Sequence, residues 1–91
     1  MQQNRELTEL RNIGKKIAER LRNAGINNEE DLRLAGAVSA HCMLKEYYPN
    51  ETLPVCYYLY SFEGALHDLH WNDISEPRKC QLREEAGLSS D

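Results

Sequence analysis

Apolar residues recur every three or four positions along nearly the whole chain. Near the start, the series is Leu7, Leu10, Ile13, Ile17, Leu21 and Ala24. A second and more regular series is Val55, Leu59, Phe62, Leu66 and Leu69. These spacings place apolar side chains on one face of an α-helix, and no stretch alternates apolar and polar residues long enough to predict a strand. The sequence therefore predicts an all-α fold.

Breaks in this pattern predict five or six short helices, the first two forming an N-terminal helix-hairpin-helix unit. The helices are expected near 5–11 and 14–24, from Asn27 or Asn28 to near Gly36, from Ala37 to Tyr48, from Thr52 through Leu69, and from Ser75 onward. Asparagine is a favoured N-cap, and the acids that follow Asn28 suit the positive end of a helix dipole. Pro54 and Pro77 fall in first turns, where proline is tolerated.

The length of the chain allows one small domain. We expect residues 1–91 to form a single unit, with a core over about 5–86 and a polar tail at 87–91. No run approaches 18 apolar residues, so neither a membrane span nor a secretory signal is expected. Cys42, Cys56 and Cys80 are an odd number at wide spacing, which favours packed, reduced thiols in the cytoplasm over a disulfide framework.

Charge is distributed unevenly along the chain. The net charge is −4, but residues 1–25 carry six bases against three acids, whereas residues 26–52 and 53–91 carry net charges of −3 and −4. A polyanion is therefore expected to meet the first quarter of the chain.

Residues 10–21 have the form of a helix-hairpin-helix. Ile13 would tuck inward between Asn12 and Gly14, two residue types that tolerate unusual backbone angles. Replacing Gly14 by valine is then expected to cost more than ~1 kcal/mol, and Asn12→Gly to be nearly neutral. The second helix would begin at once, and the free N–H groups at its start would form a cradle for a phosphate.

Two lysines at the start of this helix strengthen the hypothesis. Cations in a first turn oppose the helix dipole by ~0.3 to 1 kcal/mol each, a cost that a bound phosphate would reverse. The candidate nucleic-acid-binding residues are Asn12, Ile13, Gly14, Lys15 and Lys16. Binding to DNA would be weak and independent of sequence. The alternative is a hairpin that serves as a packing corner, with Glu19 neutralising both lysines.

Several short motifs together resemble one known family. They are Asn12-Ile13-Gly14, Ala24-Gly25-Ile26, Leu59-Tyr60, Glu63-Gly64-Ala65-Leu66 and His70-Trp71. From about Leu7 to Leu82 the chain resembles the C-terminal domain of the TfoX (Sxy) competence-regulator family. The resemblance implies a bacterial, non-enzymatic domain with a transcription regulator or another protein as partner. Full-length members add an N-terminal α/β domain and act in transcriptional control of DNA uptake; we expect no counterpart of that domain here.

A second candidate surface lies on the long predicted helix. Tyr57, Tyr60 and Gly64 fall opposite its apolar stripe. Glycine inside a helix costs about 1 kcal/mol relative to alanine, so another backbone is expected to approach Gly64 closely. This face either packs against the hairpin inside the domain or serves self-association or a partner.

The remaining polar residues predict no catalytic residue, metal or cofactor. His67 and His70 lack the paired ligands of a zinc motif, and Glu63 has no nucleophile or second acid near it in the pattern. The leading hypothesis is a non-catalytic binding module that contacts DNA non-specifically through its hairpin and supports transcriptional regulation. The alternative is a protein-interaction adaptor with a structural hairpin, whose acidic second half meets a basic partner.

Overall fold

The computed structural model describes residues 4–51 and 58–87, and in these residues the fold is built from helices. The helices are α1 (Lys15–Asn23), α2 (Glu29–Tyr47), α3 (Leu59–His67) and α4 (Glu76–Glu85), with 3-10 turns at Leu7–Glu9 and Trp71–Asp73. Within the same residues, strand-like pairing is limited to one bridge between Glu6 and Asn28. The predicted all-α class is confirmed.

The predicted number of five or six helices is wrong, since the described residues hold four α-helices. The segment near 5–11 forms only a 3-10 turn, in which the Glu6 N–H donates to the Glu9 carboxylate at 3.0 Å. The helix boundary predicted at Gly36 is present as a break inside α2: Gly36 has φ 84° and ψ 162°, so two helical segments meet there and are counted as one element. Glycine adopts this angle without the penalty of a Cβ, so the chain bends there and resumes its helix. The start predicted at Thr52 lies outside the described residues.

Two predicted helix starts are confirmed by their caps. The Asn28 side chain accepts a hydrogen bond from the Asp31 N–H at 2.9 Å, and the Ser75 hydroxyl accepts one from the Arg78 N–H at 3.3 Å. Each side chain satisfies one backbone donor that the first turn leaves without a helical partner.

The core is centred on α3, whose residues 59–65 are all buried. Helix α2 packs against α3, and α1 packs against α2 and the first 3-10 turn, with fully buried side chains such as Leu7, Leu21, Leu32 and Leu44. Each such burial contributes about 1.5–3 kcal/mol. In the part of the chain that the structure describes, no helix is both long and apolar enough to cross a membrane.

Candidate nucleic-acid interface

The hairpin turns at Asn12 rather than at Gly14. Asn12 has φ 73°, as the sequence predicted, and Ile13 is buried with 4% of its surface exposed. Gly14 has φ −87° and ψ −178°, an extended conformation open to any residue, and nothing lies within 4 Å of a Cβ placed there. The prediction of an unusual backbone angle at Gly14 is therefore wrong. A single left-handed residue is enough to reverse the chain before α1.

The Asn12 side chain points into the protein. Its Nδ2 donates to the Leu69 carbonyl at 2.8 Å and to the Ser61 carbonyl at 3.4 Å, and its Oδ1 accepts from the Trp71 N–H at 3.2 Å. Asn12 therefore ties the hairpin to α3 and to the segment after α3. Local sequence carried no signal for this role, because these partners lie 49 to 59 residues away.

Gly64 packs directly against the Asn12 side chain. A Cβ at Gly64 would stand 2.5 Å from the Asn12 Nδ2 and would also clash with the Leu69 carbonyl oxygen. The close backbone approach predicted at Gly64 is present. Among its predicted neighbours on that face, Tyr57 lies outside the described residues.

Tyr60 is buried against α4. Its hydroxyl accepts a hydrogen bond from Arg83 Nη1 at 2.6 Å, and Lys79 Nζ lies 5.5 Å from the ring centroid. In the structure Gly64 thus packs against the hairpin and Tyr60 against the last helix.

The start of α1 is open. Its N-cap is Gly14, which has no side chain to accept a hydrogen bond, and no acid lies in its first turn. The first helical bond is donated by the Ala18 N–H to the Gly14 carbonyl at 2.9 Å. The preceding N–H groups, of Lys15, Lys16 and Ile17, make no hydrogen bond with any residue in 4–51 or 58–87. Such donors and the positive end of the helix dipole favour an anion.

The two lysines at this start keep their charge exposed. Both Lys15 and Lys16 are exposed, and neither forms an ion pair with Glu19 or with another described residue. Two other cations near α1 are partly neutralised: Arg11 Nε lies 3.6 Å from an Asp68 oxygen, and Arg20 pairs with Glu51. Among the described residues, α1 therefore carries unpaired cations at both ends, Lys15 and Lys16 at its start and Arg22 in its last turn.

The other polar candidates have structural contacts. Glu63 is 6% exposed, and its Oε2 accepts from Arg78 Nε at 2.7 Å, which ties α3 to α4. His70 Nδ1 accepts from the Asn72 N–H at 3.1 Å and so caps the second 3-10 turn. Cys42 and Cys80 are free and half-buried, and Cys56 lies outside the described residues. Across the described ranges, no three His, Cys, Asp or Glu side chains are grouped to hold a metal ion.

These features define a small helical domain whose N-terminal hairpin is tied to α3 through Asn12 and leaves the start of α1 exposed. The TfoX C-terminal domain profile matches residues 3–86, and the chain belongs to this family. Membership of this family indicates a domain of a regulatory type.

Two crystal structures share the fold. Both are proteins of Listeria monocytogenes, one described as uncharacterized (triclinic form) and the other as of unknown function (tetragonal form). The first is 28% identical, with a TM-score of 0.78 over 94% of this chain and 99% of the other. The second is 30% identical, with a TM-score of 0.78 over 89% and 96%. No curated protein matches.

Proposed function

We propose that this chain is a non-catalytic binding domain that contacts the phosphate backbone of DNA through the start of α1 and supports transcriptional regulation. The observation that carries the proposal is the set of three N–H groups without partners among the described residues, flanked by the exposed Lys15 and Lys16. Hydrogen bonds from such groups to an ionised oxygen are about twice as strong as neutral ones.

The five candidate residues divide into two groups. Asn12 and Ile13 face the interior and hold the hairpin in place. Gly14, Lys15 and Lys16 face solvent, and the missing Cβ at Gly14 lets a phosphate approach the backbone donors closely. The proposed contacts are made to phosphate oxygens alone, and such contacts carry no sequence information, so binding is independent of sequence.

The expected affinity is low. Two or three phosphates fit this short surface, which gives a slope of log K against log salt of about −2 to −3, at ~0.9 per phosphate. The chain carries a net charge of −4, and most of its acids lie beyond residue 25. The dissociation constant at physiological salt is therefore about 10⁻⁴ M or weaker.

Titration of a labelled DNA duplex at low salt, followed by fluorescence anisotropy, tests this proposal. We expect Lys15→Glu/Lys16→Glu to abolish binding. Arg22→Glu/Lys45→Glu is the matched control: it changes the net charge equally but places the acids at the far end of α1 and on α2. We expect this control to bind more weakly than wild type but measurably. Equal loss in both variants, or no wild-type binding at millimolar protein, contradicts the proposal.

A protein-interaction adaptor is the second candidate. Leu34 favours it, because this apolar side chain is 80% exposed on α2, one turn after Glu30 and Asp31. An exposed leucine beside two acids suits a basic, amphipathic partner helix. Pull-down from lysate with and without nuclease separates the two candidates, since a DNA-mediated association is lost after nuclease treatment.

A further inference from the structure

A cavity of about 610 Å³ lies between the break in α2 and helices α3 and α4. This volume falls within the range of small-molecule sites, roughly 300–1,000 Å³. No hairpin residue lines it, so a ligand bound there would not touch the residues proposed to contact DNA.

The aliphatic part of the lining comes from three helical segments. Ala35 and Val38 flank the break at Gly36, and Leu66 and Leu82 line the cavity from α3 and α4. Because Gly36 has φ 84°, the chain turns there. Leu82 is fully buried, so the apolar surface offered to a short hydrocarbon chain comes from the half-buried Ala35, Val38 and Leu66.

The charged part of the lining consists of Glu63, Arg78 and Glu85. Arg78 Nε donates to Glu63 at 2.7 Å, and its Nη1 donates to Gln81 at 2.9 Å and lies 3.7 Å from a Glu85 oxygen. The one cation is therefore already bound to groups of the chain, and the lining has a net charge of −1. An anion entering the cavity would meet two carboxylates and compete with both for Arg78.

We propose that this cavity binds an alkylammonium group, with its hydrocarbon chain on the aliphatic lining and its charge beside Glu85, because the buried Glu63 is already in contact with Arg78 and His67. A neutral apolar ligand would cover the Glu85 carboxylate without replacing its water, which is unfavourable. The ammonium group can belong to a free aliphatic amine or to a lysine side chain of a protein.

Butylammonium, butyrate and butanol are matched probes of this proposal. In ¹H–¹⁵N NMR spectra of the full chain, we expect butylammonium to shift the amides of residues 35–39 saturably, with a dissociation constant of about 1–10 mM. Butyrate and butanol are expected to bind at least several-fold more weakly. Absence of saturation, or butyrate binding as tightly as butylammonium, overturns the proposal.

Two single substitutions on α4, Glu85→Gln and Glu84→Gln, test where the charge of the ligand lies. Glu85→Gln is expected to weaken butylammonium binding about two- to fivefold, whereas Glu84→Gln, outside the lining, leaves it unchanged. An equal effect of both substitutions contradicts the site. A lysine blocked at its amino and carboxyl groups distinguishes the sources: equal or tighter binding than butylammonium points to a protein lysine, and exclusion of the blocked lysine points to a free amine.

Discussion

The starts of α1 and α2 differ in how their backbone donors are satisfied. At α2, the Asn28 side chain accepts from Asp31, the Arg5 carbonyl accepts from the Glu29 N–H at 2.9 Å, and Asn4 accepts from the Glu30 N–H at 2.8 Å. At α1, the corresponding donors have no partner among the described residues. The chain therefore closes one helix start with its own atoms and leaves the other open.

The charges at the two starts are also opposite. The first turn of α2 holds Glu29, Glu30 and Asp31, and the first turn of α1 holds lysines and no acid. The side-chain hydrogen bond from Arg5 lowers the pKa of Glu29 to about 2. Lysines in a first turn oppose folding, so their presence is a better indicator of an anion site than the hairpin motif alone.

The largest expected effect on stability comes from substitution of Gly64, which packs against the hairpin. Gly64→Ala places a Cβ against the Leu69 carbonyl and Asn12, so we expect a loss of about 3 kcal/mol in the free energy of unfolding. Gly14→Ala is the matched control, because its Cβ has open space, and we expect it to cost about 0.5–1 kcal/mol. Urea denaturation of both variants measures the difference. Equal losses would mean that the hairpin does not pack against Gly64.

Substitution of Asn12 and of Asn28 by glycine provides the next test. Asn12→Gly keeps a residue suited to φ 73° but removes three hydrogen bonds to distant backbone, so we expect a loss of about 2 kcal/mol. This replaces the near-neutral effect expected from the sequence. Asn28→Gly removes only a local cap and is expected to cost a few tenths of a kcal/mol. Thermal unfolding of both variants compares them, and a smaller loss for Asn12→Gly would contradict the inward role of Asn12.

Lowering the pH should remove the stabilisation that the Glu29 carboxylate provides at the start of α2 and should not affect the start of α1. The pKa of Glu29 is lowered from 4.5 to about 2, so the unfolded chain takes up this proton first as the pH falls. The stabilisation is complete above about pH 4.5 and is lost between pH 4.5 and 2; we expect about 1–2 kcal/mol, reduced by the partial exposure of Arg5 and Arg33. Urea denaturation between pH 6 and 3 measures it. Glu29→Gln should remove this part of the pH dependence, and an unchanged profile in that variant would contradict it.

The smallest effect on stability is expected when the start of α1 is made to resemble that of α2. Gly14→Asp supplies a side-chain acceptor and a negative charge at the N-cap, so we expect stability to rise by a few tenths of a kcal/mol. The same change should abolish DNA binding, because the carboxylate occupies the donors and repels phosphate. Gly14→Asn is the uncharged control. A protein with Gly14→Asp that binds DNA like wild type would show that the α1 donors are not used.

Local features of the fold could be predicted from the sequence, and long-range contacts could not. Asn28 and Ser75 were recognisable as helix starts because capping depends on residues three positions apart. Gly64 was recognisable because glycine inside a helix needs a reason. The partners of Asn12 lie in a distant part of the sequence, and the angles of Gly14 follow from the turn that Asn12 completes. The open α1 start was predicted from the helix-hairpin-helix form of residues 10–21, and Lys15 and Lys16, whose placement is unfavourable for the helix alone, strengthened the hypothesis that an anion binds there.

Amide NMR spectra of the full chain, recorded during titration with a short DNA duplex at low salt, compare the two helix starts directly. The predicted result is a saturable shift of the Lys15, Lys16 and Ile17 amides that is reversed by added salt, with the Glu29, Glu30 and Asp31 amides unmoved. Shifts of equal size at both starts, or shifts confined to residues outside the start of α1, would contradict the claim that the open start binds phosphate.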